Sequence, residues 1–420
     1  MVIARKVMIY KSEIKVSDVD ERIQTLKNSK NIVVFGTGNY GALAHHALKE
    51  LGINIDCFCD NNEDNWGTDF IGHKVISPDE LINAYPEAVV LIASLRFKYM
   101  AQQLESATKI MVLNCDFLFG QLDLTNIVAS TSLSRLRWML NLYMFAVSSN
   151  NDTESIKVKS LDIVVTEKCT LKCQDCSNLM QYYEKPIDNE LDLMLASLQK
   201  FMTNVDELHE ARVIGGEPFM YKRLPQLMNQ LLSYGNCKNI TIFTNGTIVP
   251  KGEMLESIKN DKVSLIISDY GSLSKNTAKL KAVLDENGIS YIAYEVDFWQ
   301  DCAKVYYRER THEELKKVFG DCCVNDALTL LHGQLYACPF SAHVTNLKAI
   351  PPEAYDDEVV LVDLSDDELK MKIRAMHSAD RYLNACTYCA GRDYSVGRIE
   401  AALQTKAPLP LKTYPIKEQR

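Results

Sequence analysis

No stretch of these 420 residues reaches about 18 uninterrupted apolar positions, so the sequence offers no segment long enough to read as a transmembrane helix. Positive charge is not in excess. Lys plus Arg number 46 against 55 for Asp plus Glu, a formal net charge of −9, which argues against a general binder of nucleic acid or anionic membrane. The opening MVIARKVMIYKSEIKV meets charge too soon for a signal peptide. These absences predict a cytoplasmic protein with no nucleic-acid and no membrane partner. They also bear on the thirteen cysteines, which in a reducing compartment stay thiols instead of forming a disulfide framework.

What is present is ordinary globular material, 47% hydrophobic and 24% charged, long enough for roughly three domains. The cysteines cluster. Cys169, Cys173 and Cys176 form one group, and Cys322, Cys323, Cys338, Cys386 and Cys389 another. Cys57, Cys59, Cys115, Cys237 and Cys302 are scattered and read mostly as small core residues.

Residues 1–27 form an amino-terminal segment, and 28–120 read as a Rossmann-like domain with a parallel sheet. Its start, Asn31-Ile-Val-Val-Phe-Gly36-Thr-Gly38-Asn-Tyr-Gly41, is an apolar strand entering GxGxxG and then a helical pattern to Leu51. Glycines so placed allow a tight turn, a close approach of backbone to phosphate, and close helix packing. A second strand ends at Asp60, 24 residues after Gly36, where an acid could meet a ribose hydroxyl. Two readings stand side by side: a site for a nucleotide or nucleotide-sugar, and a Rossmann unit serving as scaffold. Further strands are expected at Val89–Ala93 and Ile110–Leu113, and a helical linker over 121–157.

From Leu161 strands and helical stretches alternate, which predicts a mainly parallel sheet with active groups at the strands' carboxyl ends. The first strand, Leu161-Asp-Ile-Val-Val165, runs into Cys169-Thr-Leu-Lys-Cys173-Gln-Asp-Cys176. Three soft thiolates can hold one iron–sulfur cluster and leave one of four irons open. A zinc loop is the alternative, though zinc usually takes four ligands with cysteines paired as CxxC. After the second strand comes Gly215-Gly216-Glu217-Pro218, after the third Thr244-Asn245-Gly246, and after the fourth Ser268-Asp269-Tyr270-Gly271.

CxxxCxxC followed by GGEP resembles the signature of the radical S-adenosylmethionine (SAM) enzymes. The resemblance implies a partial (β/α)6 TIM-type barrel over 158–312. It implies a [4Fe–4S] cluster on Cys169, Cys173 and Cys176, and SAM contacts from Gly215, Gly216, Glu217, Pro218, Asn245 and Ser268. Glu217 would place an anion near the SAM ammonium. An electron from a flavodoxin- or ferredoxin-type donor would cleave SAM to a 5′-deoxyadenosyl radical that takes a substrate hydrogen. Asp175 departs from the pattern, because many family members carry an aromatic residue there; Tyr182 or Tyr183 is the expected replacement beside adenine. Tyr294, Glu295, Asp297 and Trp299 are candidates for a polar substrate pocket.

The second cysteine group resembles the twitch or abbreviated SPASM extension of these enzymes, a small α+β domain over 313–405 with one auxiliary [4Fe–4S] cluster. Cys322 or Cys323 would join Cys338, Cys386 and Cys389, with zinc again the alternative. Residues 406–420 read as a surface tail. Together with the resemblance of 28–120 to Rossmann-like domains of nucleotide-sugar and polysaccharide biosynthesis, this implies a radical SAM oxidoreductase or epimerase. Its substrate would be a sugar or nucleotide-sugar, with Cys302 or Cys237 able to return a hydrogen atom in epimerisation. The alternatives are a peptide maturase, which would normally open with a winged-helix segment, and a non-catalytic iron–sulfur or redox-sensing protein.

Overall fold

Short apolar runs alternating with amphipathic helices produce two parallel-sheet units in the computed structural model, Met1–Thr153 and Glu154–Arg420. The structure describes residues 16–105, 107, 109–123, 133–151, 154–355, 358–377, 381–392 and 396–411. Residues 1–15 and 412–420, which belong to the expected amino-terminal segment and tail, lie outside the described residues, as do 124–132 of the expected linker.

In the first unit the strands are Ile32–Phe35 (β1), Cys57–Cys59 (β2), Asp69–Phe70 (β3), His73–Ile76 (β4), Val89–Ile92 (β5) and Met111–Asn114 (β6). They form one sheet in the order β3-β4-β2-β1-β5-β6, all parallel except the β3–β4 pair. Strands β1, β2 and β5 are buried along their whole length, as continuous Val, Ile, Phe and Cys runs require when both faces are covered. Each such large side chain withdrawn from water contributes about 1.5–3 kcal/mol. The helix Leu133–Asn151, within the expected linker, packs on this unit. Leu136, Met139, Leu140, Met144 and Val147 enter this unit's core. Tyr143 on the same helix accepts from the Cys115 amide at 2.8 Å and donates to the Ile92 carbonyl at 2.6 Å.

The second unit contains Lys157–Thr166 (β7), Glu207–Gly215 (β8), Cys237–Thr244 (β9), Val263–Asp269 (β10), Ser290–Glu295 (β11), Phe298–Gln300 (β12), Ala327–Leu331 (β13), Gln334–Tyr336 (β14), Glu358–Val360 (β15) and Arg398–Glu400 (β16). Eight of them make one sheet, β11-β10-β9-β8-β7-β13-β14-β15. Strands β7 to β11 are parallel neighbours in chain order, joined by helical crossovers as the alternating pattern predicts.

The expected sixth barrel strand does not follow the fifth. β13 instead pairs parallel to β7 on the sheet's other side, and β14 and β15 extend it antiparallel. Among the described residues the sheet is open, with β11 and β15 at its edges. The carboxy-terminal region therefore shares the sheet of the parallel strands. This holds for β13 to β15, because the apolar run Ala327–Leu331, buried throughout, finds its partner in β7; β16 pairs antiparallel with β12 in a separate two-stranded sheet.

Candidate active site

The carboxyl ends of β7 to β10 bring the candidate motifs together. Beyond β7 the chain turns through Cys169, Cys173 and Cys176. The end of β8 is stitched to that loop: the Gly216 amide donates to the Thr166 carbonyl and the Glu217 amide to the Lys168 carbonyl, both at 2.8 Å. This contact explains the paired glycines. A Cβ on Gly215 would lie 2.4 Å from the Thr166 oxygen, and one on Gly216 would lie 2.3 Å from the Lys168 oxygen and 2.8 Å from Cys169 Cβ. Only hydrogen fits there.

Glu217 is fully buried and does not face an open site. Its carboxylate accepts from the Phe219 amide at 3.2 Å, from Thr244 Oγ1 at 2.9 Å and from the Asn245 amide at 2.9 Å. Burial pushes its carboxyl up to about 7, against the pull of those donors. Glu217 thus clamps the end of β8 to the end of β9, and Pro218, also buried, opens the short turn Pro218–Met220 that follows. Asn245 reaches the cysteine loop, donating through Nδ2 to Thr170 Oγ1 at 3.1 Å and to Cys169 Sγ at 3.5 Å. Ser268, half-buried at the end of β10, bonds to Tyr270, whose phenol is close enough to feel Cys176 and Cys173. The Tyr270 ring meets Trp299 edge-on, 5.6 Å between centroids.

Each cysteine sulfur of the loop receives N–H donors. Cys169 takes the Leu171 amide and Asn245; Cys176 takes the amides of Asn178 and Met180; Cys173 takes Gln404 Nε2 at 3.1 Å. Donors directed at sulfur suit anionic thiolate ligands of a cluster, whose potential such bonds adjust. Without a cation, burial first and the neighbouring cysteines second push the thiols up, Cys169 to about 12 and Cys173 to about 11. The loop therefore fits a positively charged iron core. Among the described residues no three His, Cys, Asp or Glu side chains converge on one point as ligands of a single ion do. A cubane asks for something else, since each thiolate binds a different iron.

Gln404 was not legible as a site residue. It belongs to a carboxy-terminal strap laid along the cysteine loop, with Gln174 N donating to the Leu403 carbonyl at 2.8 Å and Thr405 N to the Lys172 carbonyl at 2.6 Å. Gln404 Oε1 also accepts from the Lys172 amide at 2.7 Å, and Leu409 N donates to the Gln181 carbonyl at 2.8 Å. The start of the expected surface tail is thus docked. Beside the loop lies a cleft of about 530 Å³ whose lining includes Asp175, Tyr182, Lys304, Tyr306 and Glu400. Tyr183 turns away from it, 8% exposed, with its hydroxyl 2.9 Å from His343 Nδ1 and accepting from Asn346 at 3.0 Å. Of the two tyrosines considered, only Tyr182 faces open space near Asp175. Tyr294 and Glu295 are exposed on the edge strand β11. Cys237 opens β9 at its amino end, the wrong end of the sheet for hydrogen return to substrate.

The second cysteine group is also assembled. Cys322, Cys338, Cys386 and Cys389 line one small enclosed cavity of about 20 Å³, together with Gly391 and Arg392. Cys323 is exposed and does not line it. Of the adjacent pair, Cys322 faces the other three. Amide donors again point at sulfur, from Val324 to Cys322, from Ser341 to Cys338, and from Gly391 to Cys389 at 3.4 Å.

In the first unit, Gly36 adopts φ +122°, and its carbonyl would lie 2.0 Å from a Cβ on Gly41, so both glycines are demanded by the turn. Gly38 precedes the helix Asn39–Glu50 and has nothing within 4 Å of a Cβ. Asp60 is not directed at an open ribose position. Its Oδ2 accepts from the Thr37 amide at 2.8 Å and from Thr37 Oγ1 at 2.5 Å, and Oδ1 accepts from the Asn62 amide at 2.8 Å.

Residues 28–112 match a family described as C2185-like, N-terminal. Curated relatives include the GTP 3′,8-cyclase of Aliarcobacter butzleri (strain RM4018), 28% identical over 131 residues, which are 31% of this chain and 39% of that protein. The GTP 3′,8-cyclase of Helicobacter pylori (strain ATCC 700392 / 26695) is 22% identical over 186 residues, 36% of this chain and 56% of that protein. The chain thus spans between about two fifths and just over half of these relatives. Among solved structures, BtrN in complex with AdoMet and 2-DOIA is 13% identical, covering 58% of this chain and 96% of that one, with a TM-score of 0.36. Streptococcus suis SuiB bound to S-adenosylmethionine is 16% identical, covering 54% and 48%, with a TM-score of 0.29. Likenesses of that size carry no argument about this chain.

Proposed function

We propose, for a chain whose relatives support membership of the radical SAM superfamily, that it is an enzyme acting on a sugar or nucleotide-sugar in glycan or secondary-metabolite biosynthesis. One observation carries the reading most of the way. Three cysteines, the GGEP turn and Asn245 meet at the carboxyl ends of adjacent parallel strands, with N–H donors on every sulfur of the loop.

Cys169, Cys173 and Cys176 would hold the [4Fe–4S] cluster, and the backbone of Gly215 and Gly216 would approach the SAM amino acid moiety. When bound and reduced, the cluster and SAM would supply a 5′-deoxyadenosyl radical that abstracts a hydrogen atom. The chain's own part is placement. Glu217 and Asn245 keep two strand ends locked on the cysteine loop, and Tyr182 and Asp175 border the cleft beside it. Cys322, Cys338, Cys386 and Cys389 would hold one auxiliary cluster, which accepts an electron if the reaction is an oxidation. The named substrate of the curated relatives is a nucleotide, which agrees with a nucleotide-containing substrate here. The glycine-rich turn of 28–112 would recognise that nucleotide moiety, with Gly38 as its open edge.

The test is anaerobic turnover with specifically deuterated nucleotide-sugars. Deuterium carried into 5′-deoxyadenosine names the substrate class and the carbon. Transfer from none of the panel, with transfer from a deuterated peptide instead, would replace the sugar reading by the peptide-maturase alternative.

A further inference from the structure

Arg392 is a buried cation, 7% exposed, with no salt bridge to a carboxylate among the described residues. Asp162, a buried acid that feels the Arg392 charge, is paired instead with Arg212 at 2.9 Å. One guanidinium nitrogen, Nη2, donates to the Ser177 carbonyl at 2.5 Å, immediately after Cys176 in the first cysteine loop. Its Nε is buried with no partner. The main chain of the same residue accepts from the Cys323 amide at 3.1 Å. The side chain lines the enclosed cavity with Cys322, Cys338, Cys386 and Cys389. A buried, uncompensated charge is costly, so some anion must face it.

We propose that Arg392 is the counter-ion of an anionic metal–thiolate cluster at the second cysteine site, and that it ties that site to the loop of the first. This rests on the two-cluster reading above and deepens it. A fixed cation beside four thiolates favours the more negative, reduced state, so Arg392 raises the site's reduction potential. Reduction adds one electron to the cluster and breaks no bond. Arg392 is thereby a positioning and tuning residue, not a catalytic one.

The experiment uses the full chain with Cys169, Cys173 and Cys176 replaced by Ala, reconstituted anaerobically with iron and sulfide, so that only the second site loads. Iron per chain and the midpoint of a dithionite titration followed by electron paramagnetic resonance are measured for Arg392, Arg392→Lys and Arg392→Met. Expected is about four irons in the parent and in Arg392→Lys. In Arg392→Met the reduction equilibrium is about tenfold less favourable, which for one electron is about 59 mV lower. Loss of iron from Arg392→Met alone would also support a charge role. An unchanged midpoint in Arg392→Met, or equal iron loss in Met and Lys variants, overturns the proposal. A parent that binds no iron, when the intact chain binds about four, removes the second cluster itself and is a different failure.

Discussion

Single side chains here do work that their motif does not announce. Glu217 is the clearest case, since GGEP suggests an acid facing a ligand and the structure buries it between two strand ends. Its carboxyl lies near 7 when folded against an ordinary 4.5, so between those values the folded chain holds a proton that the unfolded chain has released. The resulting stability is complete below about pH 4.5 and is lost as pH rises through about 7. A shift of that size in a fully buried group is on the order of 3 kcal/mol. Urea midpoints at pH 5 and pH 8 should differ in the wild type and differ less in Glu217→Gln; equal differences would contradict this. Cys322 and Cys323 separate as sharply. Reconstituted Cys322→Ser should lose about four irons per chain, and Cys323→Ser none, because only Cys322 lines the cavity with the other three cysteines. Spacing alone could not choose between them, as one residue of slack satisfies either.

Elements decide how the loop is held. The end of β8 passes so close to the cysteine loop that Gly216→Ala must push Lys168 or Cys169 aside. Such overpacking costs about 1–3 kcal/mol and should displace Cys169. The variant should keep its far-ultraviolet circular dichroism and lose most iron from the first site; full iron retention would sink the steric account. The strap from Ala402 to Leu409 is the other holding element. Gln404→Ala, which removes the donor to Cys173 and the acceptor for Lys172, should lose the first cluster several-fold faster in air, followed by its absorbance.

The parallel strands and the motifs at their ends were legible, because buried runs and strand-end loops leave local patterns. The strap and Arg392 were not. Gln404 lies 231 positions from Cys173, and no local period records a partner so distant. The position of β13 beside β7 was hidden for the same reason: its five buried residues mark a strand but not its neighbour.

At the scale of the whole molecule, each of the two units carries its own candidate site. The first has a glycine-rich turn whose acid is already committed to Thr37, while Gly38 has free space around it; on the proposed function, a phosphate would approach there. Gly38 has ordinary backbone angles and free space around it, so Gly38→Ala should fold normally. If the turn recognises the nucleotide moiety, that substitution weakens nucleotide-sugar binding to the full chain about tenfold or more by calorimetry. Unchanged binding would leave the unit a scaffold. In the second unit, one sheet carries both cysteine groups, β7 leading to the first and β13–β14 to Cys338 of the second. Arg392, on a loop outside that sheet, lines the cavity of the second group and donates to the Ser177 carbonyl beside the first.

The most direct measurement is 5′-deoxyadenosine formed by the anaerobically reconstituted chain with SAM and dithionite. The wild type should form it and Cys173→Ala should not, since one of three cluster thiolates is gone. A wild type that binds the cluster and never cleaves SAM, or a Cys173→Ala variant that still does, would contradict the account.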